Sequence, residues 1–224
     1  MRCSAALGLS ALALVSFFLV SNVAAQNVAP NQNFDTQLAP WTLFQSSPPD
    51  PSGSGASAWL GTVDINNNPG SGSGRVTIDT SQPAANAASG IAQCVDFAST
   101  QINLVNYGVF VRVPAATTTD AAINATVEMR LFSGPGCSGF VGGGTQGRTL
   151  ISGTGSDTFW YALGDPNFVP PGAPVAAQSA QIRAYLRQVN GGSPSTTSYV
   201  VEFDSAHLVL NATTPVRLQQ FDVE

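Results

Sequence analysis

Three stretches of the chain place arginine beside aromatic or acidic residues at alternate positions. These are Phe110 and Arg112 in NYGVFVRV, Glu128 and Arg130 in ATVEMRLF, and Arg183, Tyr185 and Arg187 in AQIRAYLRQV. An aromatic ring can stack on the apolar face of a sugar, and guanidinium and carboxylate groups offer fixed, multi-site hydrogen bonds to hydroxyls. Together they are candidates for a carbohydrate-binding surface. The plainer use of the same residues is a solvated sheet face held by cross-strand Arg and Glu pairs. Trp59, next to SGSGAS, is a candidate platform at a binding loop, whereas Trp41 and Trp160 read as core aromatics.

Catalytic chemistry is thinly represented. His207 is the sole histidine and reads as a surface residue on an edge-like strand. There is no Gly-x-Ser-x-Gly elbow. GGGTQG at 142–147 fits Gly-x-Gly-x-x-Gly formally, but no helix pattern follows it, and it reads as a loop. Glycoside hydrolysis needs two carboxyl groups flanking the scissile bond. The glutamates are Glu128, Glu202 and the terminal Glu224, of which the first two lie on strand-like runs and could face one another across a concave sheet. A glycan-active hydrolase is therefore an alternative to a non-catalytic binder, and a structural or adhesive extracellular protein is a third.

The elements that must position these residues are strands. Gly- and Pro-rich punctuation recurs every ten to twenty residues, and short β-rich runs lie between, the signature of an antiparallel β-sandwich or barrel and not of βαβ units. Strand alternation puts Ala125, Val127, Met129 and Leu131 on one face and Thr126, Glu128, Arg130 and Phe132 on the other. It likewise turns Ile182, Ala184 and Leu186 inward against Arg183, Tyr185 and Arg187, and sets Tyr107, Val109, Val111 and Val113 opposite Phe110 and Arg112. In YVVEFDSAHLVL the apolar set Tyr199, Val201, Phe203 resumes out of phase at Leu208 and Leu210, which predicts a β-bulge near Ser205.

Residues 1–25 have the layout of a secretory signal peptide: Arg2, an apolar run from Ala11 to Val20, and a small-residue cleavage site before Gln26. The run is short for a membrane span, and no second stretch of about 20 apolar residues follows. The expected product is a secreted, extracellular or periplasmic protein with no membrane insertion, a β-sandwich domain over 26–212, and a C-terminal strand or tail over 213–224. A monomer is expected. With 13 acidic residues against 8 arginines and no lysine, the chain offers no clustered basic face for phosphate neutralisation, which argues against nucleic acid as a partner. Beyond Cys3 in the signal segment there are two cysteines, Cys94 and Cys137, expected to form one disulfide in an oxidising compartment. Asn124-Ala125-Thr126 and Asn211-Ala212-Thr213 fit glycosylation acceptors, a pattern that Ser/Thr-rich sequence also produces by chance.

The opening NQNFDTQLAPW is similar to the Asn-x-x-Phe-Glu start, followed by Trp, of carbohydrate-binding modules with the galactose-binding-like jelly-roll fold. The tail AQSAQIRAYLRQ and YVVEFDSAHLVL resembles their closing strands, and GIAQCVDF, YGVFVRVP and TFWYAL fit the order of the strands between. The resemblance spans most of residues 31–210 and implies a jelly roll, a polysaccharide or glycan as partner, and a structural calcium. Carried over, the calcium residues are Asp35, an Asp where the family has Glu, and Asp204. Calcium takes six to eight oxygens, so an ion between first and last strands would pin both termini. The alternative is that Asp35 caps a turn and Asp204 accepts backbone hydrogen bonds at the bulge.

Overall fold

The computed structural model describes residues 27–46, 55–68, 70–81, 87–114, 120–150, 159–189 and 193–211; the expected signal segment over 1–25, the expected strand or tail over 213–224 and the second acceptor triplet's Thr213 lie outside them. The elements are β1 (Thr42–Ser46), β2 (Gly55–Leu60), β3 (Ser73–Asp79), β4 (Ala88–Ile102), β5 (Val105–Arg112), β6 (Asp120–Gly134), β7 (Ser138–Leu150), β8 (Tyr161–Phe168), β9 (Val175–Gln188) and β10 (Ser198–Leu210). They form two five-stranded antiparallel sheets, β1-β4-β9-β6-β7 and β2-β3-β10-β5-β8. The chain crosses repeatedly between the sheets, as in a jelly roll. The fold is the expected β-sandwich.

Alternation drives the packing. Val127, Met129 and Leu131 of β6, Ile182, Ala184 and Leu186 of β9, Val109 and Val111 of β5, and Val201 and Phe203 of β10 all lie in one buried core between the sheets. Truncating a side chain such as Leu131 or Ile182 there costs roughly 2–5 kcal/mol, because the cavity only partly collapses. Polar residues also enter the inward rows, Ser89 and Gln93 among them. Gln93 shares an inward row with Ile182 and Met129, is 3 % exposed, and neither atom of its amide has a hydrogen-bond partner among the described residues.

Several devices fix the strand ends. The disulfide Cys94–Cys137 joins β4 to the β6–β7 turn, closing a loop with a sequence separation of 43. Beside it Gly136 N–H donates to Asp96 at 2.8 Å. At the start of β6, Asp120 receives the Tyr199 hydroxyl and the Ser195 N–H, each at 2.6 Å, and the Ala122 N–H at 2.7 Å. Burial opposes ionisation of Asp120, but these hydrogen bonds prevail and hold its carboxyl below the usual range. The predicted bulge is present: the β10–β5 register shifts between Asp204 and His207, with Ser205 at φ 47°.

One expectation is corrected. Residues 142–147 are not a loop but part of edge strand β7. Its glycines admit close neighbours, since a Cβ on Gly144 would stand 2.8 Å from the Tyr107 hydroxyl and 2.7 Å from the Phe168 ring. Turn-forming residues masked the strand.

Candidate functional site

The outer face of the first sheet gathers five of the sequence-predicted residues. Register aligns Phe44, Gly90, Tyr185 and Thr126 in one row across β1, β4, β9 and β6, and Thr42, Ala92, Arg183 and Glu128 in the next. Gln181 and Arg130 make the third row, and Phe132 and Phe140 follow. Arg187, paired with Asn124, flanks the first row. The intervening row of Ile91, Ala184 and Val127 is core, so these side chains are on the outside.

Packing on that face is specific. A Cβ at Gly90 would stand 2.3 Å from the Cβ of Tyr185, so glycine is what lets the Phe44 and Tyr185 rings meet edge to face at 5.4 Å. Arg183 lies over Phe44, 4.4 Å from the ring centroid, while its Nε donates to Gln181 Oε1 at 2.7 Å and its Nη1 to Glu128 Oε2 at 3.2 Å. Arg130 approaches the other oxygen of Glu128 at 3.9 Å and sits 4.6 Å from the Phe140 ring and 5.4 Å from Phe132. The result is a strip with aromatic rings at both ends and a carboxylate held between two guanidinium groups. Phe140 is 55 % exposed. Tyr185 is buried rather than open, so burial first, then the charge of Glu128, pushes its hydroxyl up to about 12. Burial also lowers the Arg183 guanidinium, although Glu128 opposes this. Asn124 and the buried Thr126 of the first acceptor triplet lie on this same face.

Phe110 and Arg112 do not join this strip. They lie on β5, on the outer face of the second sheet, which is the opposite side of the sandwich. Alternation says inside or outside but not which sheet, and that is why they were grouped with β6 and β9. There Arg112 donates to Glu202 Oε2 at 2.7 Å and packs 5.7 Å from the Trp160 ring, and Arg75 donates to Oε1 at 2.5 Å. Glu202 is fully buried beneath them. Glu128 and Glu202 thus face away from each other on separate sheets and cannot flank one glycosidic bond.

Trp160 is half-buried against Arg112 and is no part of the core, whereas Trp41 is buried as expected. Trp59 is 39 % exposed at the edge of the sandwich, donates to the Phe34 carbonyl at 2.6 Å, and covers Gly61 and Gly72. It borders a turn, away from the first sheet's outer face. His207 is not on an edge: β10 is the central strand of its sheet, and the half-buried imidazole Nε2 lies 2.9 Å from Asn106 Oδ1. Burial lowers its pKa.

Asp204 lies at the bulge, where the charges of Asp64 and of the exposed Asp35 act on it. The segment over 27–32 runs beside β10, with Val28 N–H donating to the Leu208 carbonyl and Ala206 N–H to the Gln32 carbonyl, both at 2.8 Å. Asp204 is fully buried and accepts hydrogen bonds from Ile65 N–H at 2.9 Å and Ser205 N–H at 2.6 Å. Burial above all, with the charges of Asp64 and Asp35 adding to it, pushes its carboxyl up to about 7. The Ser71 hydroxyl lies 3.3 Å from Asp35 Oδ1 and 3.2 Å from the Asn33 carbonyl. Asp64, which sequence reasoning passed over inside a turn, accepts from Asn66 and Asn68 N–H. Among the described residues no three His, Cys, Asp or Glu side chains are disposed to hold a metal ion by themselves.

No protein-family model matches the chain, and no curated protein sequence does. Solved structures similar to it include TmCBM61 in complex with beta-1,4-galactotriose, at 11 % identity and TM-score 0.47, covering 82 % of this chain and 98 % of that one. The CBM22-2 xylan-binding domain from Paenibacillus barcinonensis is similar at 9 % identity and TM-score 0.46, with 80 % and 97 % covered. A cleaved adhesin domain of Lys-gingipain from Porphyromonas gingivalis is similar at 10 % identity and TM-score 0.38, with 81 % and 96 % covered. Likeness at this level transfers no binding residue to the present chain.

Proposed function

We propose that this protein is a secreted, non-catalytic glycan binder whose site is the outer face of the β1-β4-β9-β6-β7 sheet. The observation that carries the reading is the Phe44–Arg183–Glu128–Arg130–Phe140 strip, in which Arg183 is hydrogen-bonded to Glu128 and Arg130 packs between Glu128 and the Phe140 ring. Such preorganisation spares the ordering cost that free surface side chains would incur on binding. Binding of the purified chain to an array of plant, microbial and animal polysaccharides tests it, and uniformly negative results would favour a structural or adhesive role. The disulfide is consistent with an oxidising compartment. Expression with the native leader, followed by N-terminal sequencing, should return a chain starting at Gln26; an unprocessed or retained chain counts against secretion.

We further propose calcium as a structural ion at the bulge. A fully buried carboxylate with two more acids nearby fits a hard cation that takes oxygen ligands. Asp35 and Asp204 would hold it, with backbone carbonyls or water completing the set. Its charge would offset the repulsion among the acids and tie the segment carrying Asp35 to β10. Melting with and without a chelator is the test: an unchanged midpoint would leave Asp204 as a backbone acceptor only.

A further inference from the structure

The chain has an excess of acids, yet the outer face of the first sheet sets Arg130 and Arg183 on either side of Glu128, with Arg187 two rows further along. Asp96, at the disulfide end of that face, accepts the Gly136 N–H and keeps its negative charge, which Arg187 at the other end balances in number. The Arg130–Glu128–Arg183 group therefore keeps one positive charge after its internal pairing. The two arginines are not equivalent. Arg183 is committed to Gln181 and Glu128, and its side chain is 16 % exposed. Arg130 has only the 3.9 Å approach to Glu128, donates no hydrogen bond among the described residues, and is 27 % exposed next to the open ring of Phe140. On the opposite sheet, Arg75 and Arg112 are both bonded to Glu202, while the exposed Arg148 of β7 lies over the Tyr161 ring of β8, 3.8 Å from its centroid.

We propose that the glycan taken by this face is anionic, carrying uronate carboxylates or sulfate esters, with the Arg130 guanidinium meeting the anionic group while the Phe140 ring covers the apolar face of an adjoining sugar. The inference rests on the glycan-binding reading above and adds the substrate class. A guanidinium presents a planar fork of donors that fits carboxylate and sulfate oxygens two at a time, and such charge-assisted bonds are stronger than those to neutral hydroxyls. A neutral sugar on this strip would cover Arg130 without meeting its charge, and covering a charge paired only at 3.9 Å is unfavourable. The net charge of the chain is negative, so a polyanion is drawn only to places where arginines gather, as they do on this face.

The test compares matched pairs of probes in EDTA: oligogalacturonate against its carboxyl-reduced counterpart, and dextran sulfate against dextran. Wild type is expected to bind at least one anionic member about tenfold more tightly than its neutral parent, the preference shrinking as salt is raised. Arg130→Gln should abolish the preference without shifting the melting midpoint. Arg130→Lys, which keeps the charge but not the fork, should retain part of it, and this guards against a merely folding-related loss. Equal binding of charged and neutral members overturns the anionic class but leaves the glycan face standing. Failure to bind any saccharide overturns both. An anionic preference that survives Arg130→Gln unchanged refutes the assignment to Arg130.

Discussion

Arg183 holds its guanidinium over the ring of Phe44, 4.4 Å from the centroid, although one residue is on edge strand β1 and the other on β9, with β4 running between them. The contact is possible because β4 supplies Gly90, with no side chain, in the row through Phe44 and Tyr185. Gly90→Ala should therefore separate the two rings. Its expected signature is a shift of the melting midpoint by several degrees together with loss of glycan binding; a variant as stable and as active as wild type would mean that the rings do not need the gap.

Gln93 is the clearest case of stability given up in the core. Its amide is buried without partners among Ile182 and Met129, and such a group costs roughly 1–3 kcal/mol. Gln93→Met, close in shape and without the polar atoms, should raise the unfolding free energy read from urea denaturation by roughly 1–3 kcal/mol and the midpoint with it. A lower midpoint would indicate that the amide makes bonds to buried water.

The disulfide should be worth much of what chain entropy allows for its separation of 43 residues, on the order of 4 kcal/mol. The Cys94→Ser/Cys137→Ser pair is expected to unfold at markedly lower denaturant while keeping its β-sheet spectrum. An unchanged midpoint would show that the β4 and β6–β7 ends are held by other contacts, such as the Asp96 bond to Gly136.

Stability without calcium should depend on Asp204. Its folded carboxyl retains a proton up to about 7, whereas an unfolded aspartate releases it near 4. Between those values the folded state binds more protons, so stability falls as pH rises through that window. In EDTA the wild type should melt higher at pH 5 than at pH 8, and Asp204→Asn should flatten the difference. Added calcium should raise the midpoint most above pH 7, where the carboxylate is free to ligate. Wild type and Asp204→Asn responding alike to pH would contradict this.

Much of the architecture was legible from alternation, because a two-residue period separates core from surface wherever one face is buried. That is why the inward sets of β5, β6 and β9 were readable, as was the slipped phase that became the bulge at Ser205. Which strands share a sheet was not, since pairing is decided between residues far apart in the chain. Phe110 and Arg112 were grouped with Glu128 for that reason. Phe44, Gln181 and Phe140 were missed for a related one: each takes its place in the strip only through neighbouring strands. The alternation around Phe44 in TLFQS is a faint signal. Phe140 follows the Gly-rich turn and reads as part of it, as Asp64 does in DINNNPG.

The most direct measurement pits the two outer faces against each other. Using whichever polysaccharide the wild type retains, affinity electrophoresis of Phe44→Ala and Phe110→Ala should show binding weakened about tenfold or more in the first and unchanged in the second. Loss in Phe110→Ala with full retention in Phe44→Ala would place the ligand on the β2-β3-β10-β5-β8 sheet and contradict the assignment.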